Sequence, residues 1–262
     1  MAKWMSFYVD EIEKSRPQAF YPCMCVVQAR ISSTRLPGKI LKSVLGKPLL
    51  TFLVERLRQI QGIEGIIIAT TKNPADNAIA EYCDHEGLHC VRASEEDVLS
   101  RYVAACEAFD LEVAIRITSD CPLLDPDLVS SGLALFAQKY ESLDYLSNTL
   151  VRTFPRGMDF EIIRTDSLKK AYFEAKTAVE KEHVTPYIYN HPEKFRLANL
   201  LQKQDQSHFR LTVDTPEDFE LIRLLLEEIY PKKPEFRLSD ILLALKEHPD
   251  WIKINSHVVQ KA

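Results

Sequence analysis

Two hydrophobic periods alternate along the first half of the chain. Short apolar runs at 23–29 (CMCVVQA), 63–70 (IEGIIIAT), 88–92 and 112–118 (EVAIRIT) predict buried strands. Between the first two, apolar residues at Leu49, Leu50, Leu53, Val54, Leu57 and Ile60 predict a helix over 47–60. Asn73, Pro74 and Asp76 open a second helix, which Gly87 ends. Ser94, with Asp97 three residues on, predicts a third helix to about 109. Asp125-Pro126 opens a fourth. The βαβαβαβα order predicts an α/β domain with a mostly parallel sheet covered by helices on both faces.

After Tyr140 the alternation loosens. Strand-like pieces fall at 144–149, 158–164, 195–200 and 209–213, and helical ones at 166–174 and 180–189. Thr215-Pro216, with Asp218 at the third helical position, opens a helix whose stripe includes Phe219, Ile222 and Leu226. No internal repeat or Pro/Gly/Ser linker divides the chain. The expected organisation is one domain with an elaborated second half: an extension at 1–21, a central domain at 22–230 and a helical extension at 231–262 packed on it.

Composition removes several function classes. The chain has 262 residues, 46% apolar and 27% charged, with 7 glycines against 14 prolines. It contains no G-x-G-x-x-G and no G-x-x-x-x-G-K-[ST], which disfavours a dinucleotide fold or a P-loop. No apolar run approaches the ~18 residues of a membrane span. The first 22 residues carry Asp10, Glu11 and Glu13 and are not expected to be a signal peptide. Six cysteines in such a chain suggest reduced thiols and a cytoplasmic location.

Charge adds a sharper feature. Net charge is -5, which argues against nucleic acid as a partner, yet residues 14–54 hold no acid and seven cations. Several of those cations sit in one loop after the first strand, A-R-I-S-S-T-R-L-P-G-K at 29–39. Arg30, Arg35, Lys39 and the hydroxyls of Ser32, Ser33 and Thr34 can cradle phosphates without a glycine-rich backbone. Asp120 follows another strand, and Asp214 lies at a strand-to-helix junction. Two carboxylates at strand ends suit Mg²⁺, which keeps waters and phosphate oxygens as further ligands.

These segments resemble a known family. The loop at 29–39 is similar to the nucleotide loop of sugar-acid cytidylyltransferases, a group that includes the 3-deoxy-manno-octulosonate and acylneuraminate enzymes. R-I-T-S-D-C-P-L, F-P-R-G-M-D-F-E, E-H-V-T-P-Y-I-Y and V-D-T-P-E-D-F follow in the order of the spore coat polysaccharide biosynthesis protein F family, the nearest resemblance, over about 21–230.

The resemblance implies a Rossmann-like nucleotide-diphospho-sugar transferase (GT-A-like) fold. It implies transfer of CMP from CTP to a sugar acid, with Mg²⁺ as cofactor and pyrophosphate released, in surface-polysaccharide synthesis. It also implies that Arg30, Ser33, Arg35 and Lys39 contact the triphosphate and that Ser94 helps to read the cytosine. Asp120 and Asp214 would hold the metal, while Arg156, His183 and Tyr187 would meet the sugar acid. Relatives are often homodimers. Ser119 departs from the pattern, standing where the family usually has glycine.

Other readings remain open on the residues. A glycosyltransferase of the same architecture would use similar elements, although such enzymes carry an Asp-x-Asp motif and here the metal candidate is Ser119-Asp120-Cys121. A non-catalytic nucleotide-binding protein is the third reading. Cys83, His85, His89 and Cys90 suggest zinc, but their spacing departs from the usual pattern. Cys121 lies beside the candidate site without a His-Asp relay to activate it.

Overall fold

The run Cys23–Gln28 buries both of its faces. Cys23, Cys25 and Val27 enter one layer of core, and Met24 and Val26 enter the other. A strand of that kind belongs in the middle of a helix-covered sheet. The computed structural model, which describes residues 3–12 and 21–260, has it there.

In chain order the elements begin with β1 (Met5–Tyr8), β2 (Cys23–Gln28), a small hairpin of β3 (Ser43–Val44) and β4 (Lys47–Pro48), and helix α1 (Leu49–Leu57). Next come β5 (Gly65–Thr71), α2 (Asn77–Glu86), β6 (His89–Ala93), α3 (Val98–Ala108) and β7 (Val113–Thr118). The second half holds α4 (Pro126–Gln138), β8 (Tyr145–Ser147), β9 (Glu161–Arg164), α5 (Thr165–Glu174) and α6 (Ala178–His183). It ends with α7 (Pro186–Asn190), β10 (Leu197–Leu201), α8 (Pro216–Ile229) and α9 (Leu238–Glu247).

The main sheet runs β1-β10-β8-β9-β7-β2-β5-β6. All its pairings are parallel except those of β9, which is antiparallel to both β7 and β8. Apolar residues of α1, α4, α8 and α9 fill one face, and those of α3, α5 and α7 fill the other. This is the α/β architecture with a mostly parallel sheet that the sequence predicts. Segment 231–260 adds Phe236, Ile241 and Leu245 to the first of these layers.

Several elements differ from their predicted form. The segment at 1–21 supplies a strand, β1, parallel to β10. The run at 209–213 makes only a single bridge, Arg156 to Arg210. Its backbone is used elsewhere: Leu211 N donates to Arg156 O, and Val213 N donates to Asp120 O. The helix expected over 180–189 splits into α6 and α7, because Val184 takes a φ of 72° and Pro186 starts a new turn. The third helix starts at Val98 rather than beside Ser94. Asp97 is its cap, accepting from Ser100 N at 2.8 Å, while Ser94 Oγ accepts from Asp97 N.

Candidate active site

Strand ends β2 and β7 lie side by side, so the basic loop and the Asp120 turn leave the sheet together. The loop is held by its own sequence. Leu36 and Ile40 bury their side chains in the core. Gly38, at φ 66°, allows the left-handed turn into the short helix at Lys39–Leu41. Asp76 was expected only to help start a helix. It is buried instead and accepts from Ile31 N at 2.7 Å and from the Thr71 hydroxyl. That contact ties the loop to the end of β5.

The loop reaches across to the carboxylates. Lys39 Nζ donates to Asp120 Oδ2 at 3.1 Å, to Asp214 Oδ1 at 2.8 Å and to Val213 O at 2.7 Å. Arg35 lies 3.0 Å from Asp214 Oδ2. Arg210 reaches the same oxygen at 2.9 Å while gripping Asp218 with Nε and Nη2. Asp218 closes the start of α8 by a capping box with Thr215, which leaves Asp214 outside the cap. Thr212 Oγ1 and Val213 N both donate to Asp120 O, so the two aspartates sit on segments stitched to each other.

Electrostatics follow from these contacts. Burial pushes the Asp120 carboxyl up, but the Lys39 ammonium and the Thr118 hydroxyl, at 2.5 Å, outweigh it and hold the pKa below 3.8. Burial pulls Lys39 down, and the two carboxylates more than reverse that, raising it above 10.5. Both groups are therefore charged at neutral pH. Burial, with Asp120 alongside, drives the Cys121 thiol far up, so it is protonated and a poor nucleophile.

These groups line a cleft of about 630 Å³. Of the sequence-predicted residues, Arg30, Ser33, Arg35, Lys39, Asp120, Asp214, Arg156 and His183 all border it. Arg156 is positioned by Gly157, whose φ is 98° and where a Cβ would stand 2.3 Å from Leu211 O. Ser119 avoids a positive φ, so a side chain fits where glycine was expected.

Two predicted residues lie elsewhere. Ser94 is exposed and its hydroxyl is used at the turn before α3. Tyr187 is buried, its hydroxyl bonded to Glu174 and Lys194 and its ring stacked on His191. It does not border the cleft, because the break at Val184 and Pro186 turns it away from His183. The four zinc candidates do not form a site: the Cys83 and Cys90 thiols meet, but His85 pairs with Glu86, His89 lies against Phe109, and among the described residues no three metal-type side chains gather. Lys14 and Arg16 of the basic segment lie outside the described residues.

The sequence analysis also missed cleft residues. Arg116 of β7 pairs with buried Glu161 of β9 and donates to Gln28 Oε1. Glu161 is further held by the hydroxyls of Tyr145 and Thr185, the latter at 2.6 Å. The signal was a lone charge within an apolar strand, with an acid ending a quoted motif. Arg101 of α3 borders the cleft too.

Known proteins resemble this chain in sequence and fold. A family model described as cytidylyltransferase matches residues 24–238. The chain is 34% identical over 232 residues to the spore coat polysaccharide biosynthesis protein SpsF of Bacillus subtilis, covering 86% of this chain and 94% of that protein. It is 32% identical over 161 residues to a 3-deoxy-manno-octulosonate cytidylyltransferase of Acinetobacter baumannii, covering 58% of this chain and 62% of that one. A cytidylyltransferase structure from Leptospira borgpetersenii superposes with a TM-score of 0.85 at 30% identity, over 92% of this chain and all of that one. A CMP:2-keto-3-deoxy-manno-octonic acid synthetase solved with CTP superposes with a TM-score of 0.60 at 18% identity, covering 79% of this chain and 99% of that one. That last likeness concerns the fold.

Proposed function

The chain belongs to the cytidylyltransferase family, and from that premise we propose that it transfers CMP from CTP to a sugar acid in surface-polysaccharide synthesis, with Mg²⁺ as its metal. One observation carries the reading. The cations of the 29–39 loop and the Asp120 and Asp214 carboxylates converge on a single cleft at the strand ends. The names of the Bacillus and Acinetobacter relatives support the class of acceptor and its purpose.

The donor set fits the metal. Asp120 Oδ2 and Asp214 Oδ1 both point at one cation, the Lys39 ammonium, so a divalent ion taking that place would meet two carboxylates. Mg²⁺ needs no more protein ligands than that, since waters and phosphate oxygens complete its shell. Bound there, the metal would supply charge neutralisation at the α-phosphate and a lower pKa for a coordinated hydroxyl.

The chain's own side chains do the remaining work. Lys39 and Arg35 leave the carboxylates for the triphosphate, exchanging one anion for another. With Arg30 and Ser33 they hold the phosphates in line for displacement. The acceptor hydroxyl oxygen bonds to the α-phosphorus as the bond to the α–β bridging oxygen breaks. That oxygen departs with pyrophosphate, whose growing charge the loop cations stabilise. Water in the open cleft takes the hydroxyl proton. Arg156 pairs with the acceptor carboxylate, and exposed His183 borders the same cleft.

The test is a pyrophosphate-release screen of all four ribonucleoside triphosphates against a panel of sugar acids, with and without Mg²⁺. Release with CTP plus one sugar acid and Mg²⁺ is expected. Release of a nucleoside diphosphate from a nucleotide sugar instead would point to glycosyl transfer and overturn the reading.

A further inference from the structure

Among the described residues the buried arginines Arg56, Arg116 and Arg210 all make side-chain hydrogen bonds, although Arg56 Nη1 and Arg116 Nε have no partner; Arg101 is the exception. Arg56 donates to the carbonyls of Leu124 and Phe236, Arg210 grips Asp218, and Arg116 pairs with Glu161. Arg101 is 2% exposed and is the sole charged residue on the buried face of α3. Among the described residues its Nε and Nη1 have no hydrogen-bond partner.

The carboxylates nearby are committed elsewhere. Asp76 binds Ile31 N and the Thr71 hydroxyl, and Glu95 binds Ser32 and Asn73. Burial, together with the charge of Arg30, holds the Arg101 pKa below its ordinary value. An unmatched buried guanidinium is costly to keep. It is tolerable where a ligand supplies the missing anion, and Arg101 faces the cleft.

We propose that Arg101 is a nucleotide-recognition residue whose guanidinium donates to a phosphate group bound in the cleft, beside Arg30. This rests on the CTP-dependent reading above. A phosphate fits better than the acceptor carboxylate, because Arg101 and Arg30 stand together on the first half of the fold. The second half brings its own cation, Arg156, to the cleft. Arg101 thus extends the phosphate cradle beyond the 29–39 loop to a helix whose sequence carries no phosphate motif.

The experiment is calorimetric titration of the full chain with CTP, cytidine and inorganic pyrophosphate, each with Mg²⁺, for wild type, Arg101→Met and Arg101→Lys. Arg101→Met should weaken CTP and pyrophosphate by roughly 10- to 100-fold while cytidine binding stays unchanged. Arg101→Lys should fall between, since it keeps the charge and loses the planar fork. The ligand-free Tm of Arg101→Met should equal or exceed that of the wild type, as an unmatched buried charge has gone. A lowered Tm with unchanged affinities would show a purely structural role and overturn the proposal. So would unchanged CTP binding with a raised KM for the acceptor alone, which would place Arg101 at the carboxylate. If the wild type bound pyrophosphate but no triphosphate, the cytidylyltransferase reading would fall and the pyrophosphate arm would still decide Arg101. Binding of neither would overturn both.

Discussion

Lys39 donates to Asp214 at 2.8 Å across 175 positions of sequence. The contact joins the loop after β2 to the head of α8, and the same ammonium also holds Asp120. Two like charges are thereby kept close together by a cation that the ligand is expected to displace. One ammonium thus brings the two candidate metal-binding carboxylates together.

Removing that cation should cost stability in a pH-dependent way. Lys39→Met should destabilise the protein at pH 7 by about 1.5–3 kcal/mol, the usual worth of charge-assisted bonds of limited exposure. Asp120 has a folded pKa below 3.8, so its share of the stabilisation is complete above that value and is lost as pH falls through the folded pKa. Lys39 has a raised pKa, so its share is complete below 10.5 and is lost as pH climbs through the higher folded value. Urea unfolding of wild type and variant should give a constant gap from about pH 5 to pH 9. The gap should narrow below pH 3.8 and again above pH 10.5. A gap independent of pH would show that the lost contacts are not these ion pairs.

Asp120→Asn tests the metal assignment separately from the fold. The amide keeps the shape and can still accept from Thr118, so the fold should persist, with Tm lowered only by the lost charge pairing to Lys39. Turnover should fall by at least ~100-fold, because several kcal/mol of charge stabilisation depend on the carboxylate. The check is a rate assay at saturating CTP over a Mg²⁺ titration. Wild-type turnover in this variant would remove Asp120 from the site.

The Arg116–Glu161 pair invites a double-mutant cycle. Glu161→Leu alone strands a buried guanidinium and Arg116→Met alone a buried carboxylate, and each should cost about 3–5 kcal/mol. Arg116→Met combined with Glu161→Leu should recover much of that loss, since an apolar pair can replace a buried ion pair. If Arg116 serves only to hold the strands together, the double variant should also recover activity. We expect it to stay impaired, because Arg116 borders the cleft. Unfolding curves and turnover on the same four proteins decide this.

The parts of this site that the sequence exposed share a physical reason. Arg30 and Asp120 follow strand ends, Lys39 starts the short helix after the loop and Asp214 lies on the irregular approach to α8, where side-chain direction is free and a motif states the contacts. The central strands were legible because both faces of Cys23–Gln28 and Gly65–Thr71 are apolar. Arg101, Arg116 and Glu161 were hidden inside regular elements, where function depends on which face turns toward the cleft. Tyr187 was misplaced for the same reason, since one residue at positive φ, Val184, redirects everything after it. The antiparallel β9 was equally unreadable, because four residues, EIIR, do not encode strand direction.

Gly157 offers a last test of how closely the site depends on its backbone. Its φ of 98° disfavours any L side chain, and a Cβ there would approach Leu211 O to 2.3 Å. Arg156 bridges this segment at this point, with Leu211 N donating to Arg156 O at 2.7 Å and Arg156 N donating to Phe209 O at 3.1 Å. Gly157→Ala must therefore push segment 156–158 away from 211–213, which carries the approach to Asp214. The strain should cost about 1–3 kcal/mol. Because Val213 N and Thr212 Oγ1 also hold Asp120, the displacement should reach the proposed metal ligands as well as Arg156. We expect the KM for the acceptor to rise and kcat to fall together, with the CTP contacts of the 29–39 loop spared. Tm, the two KM values and kcat measured on one preparation would check this, and a loss confined to Tm would show that the two segments are not coupled through the site.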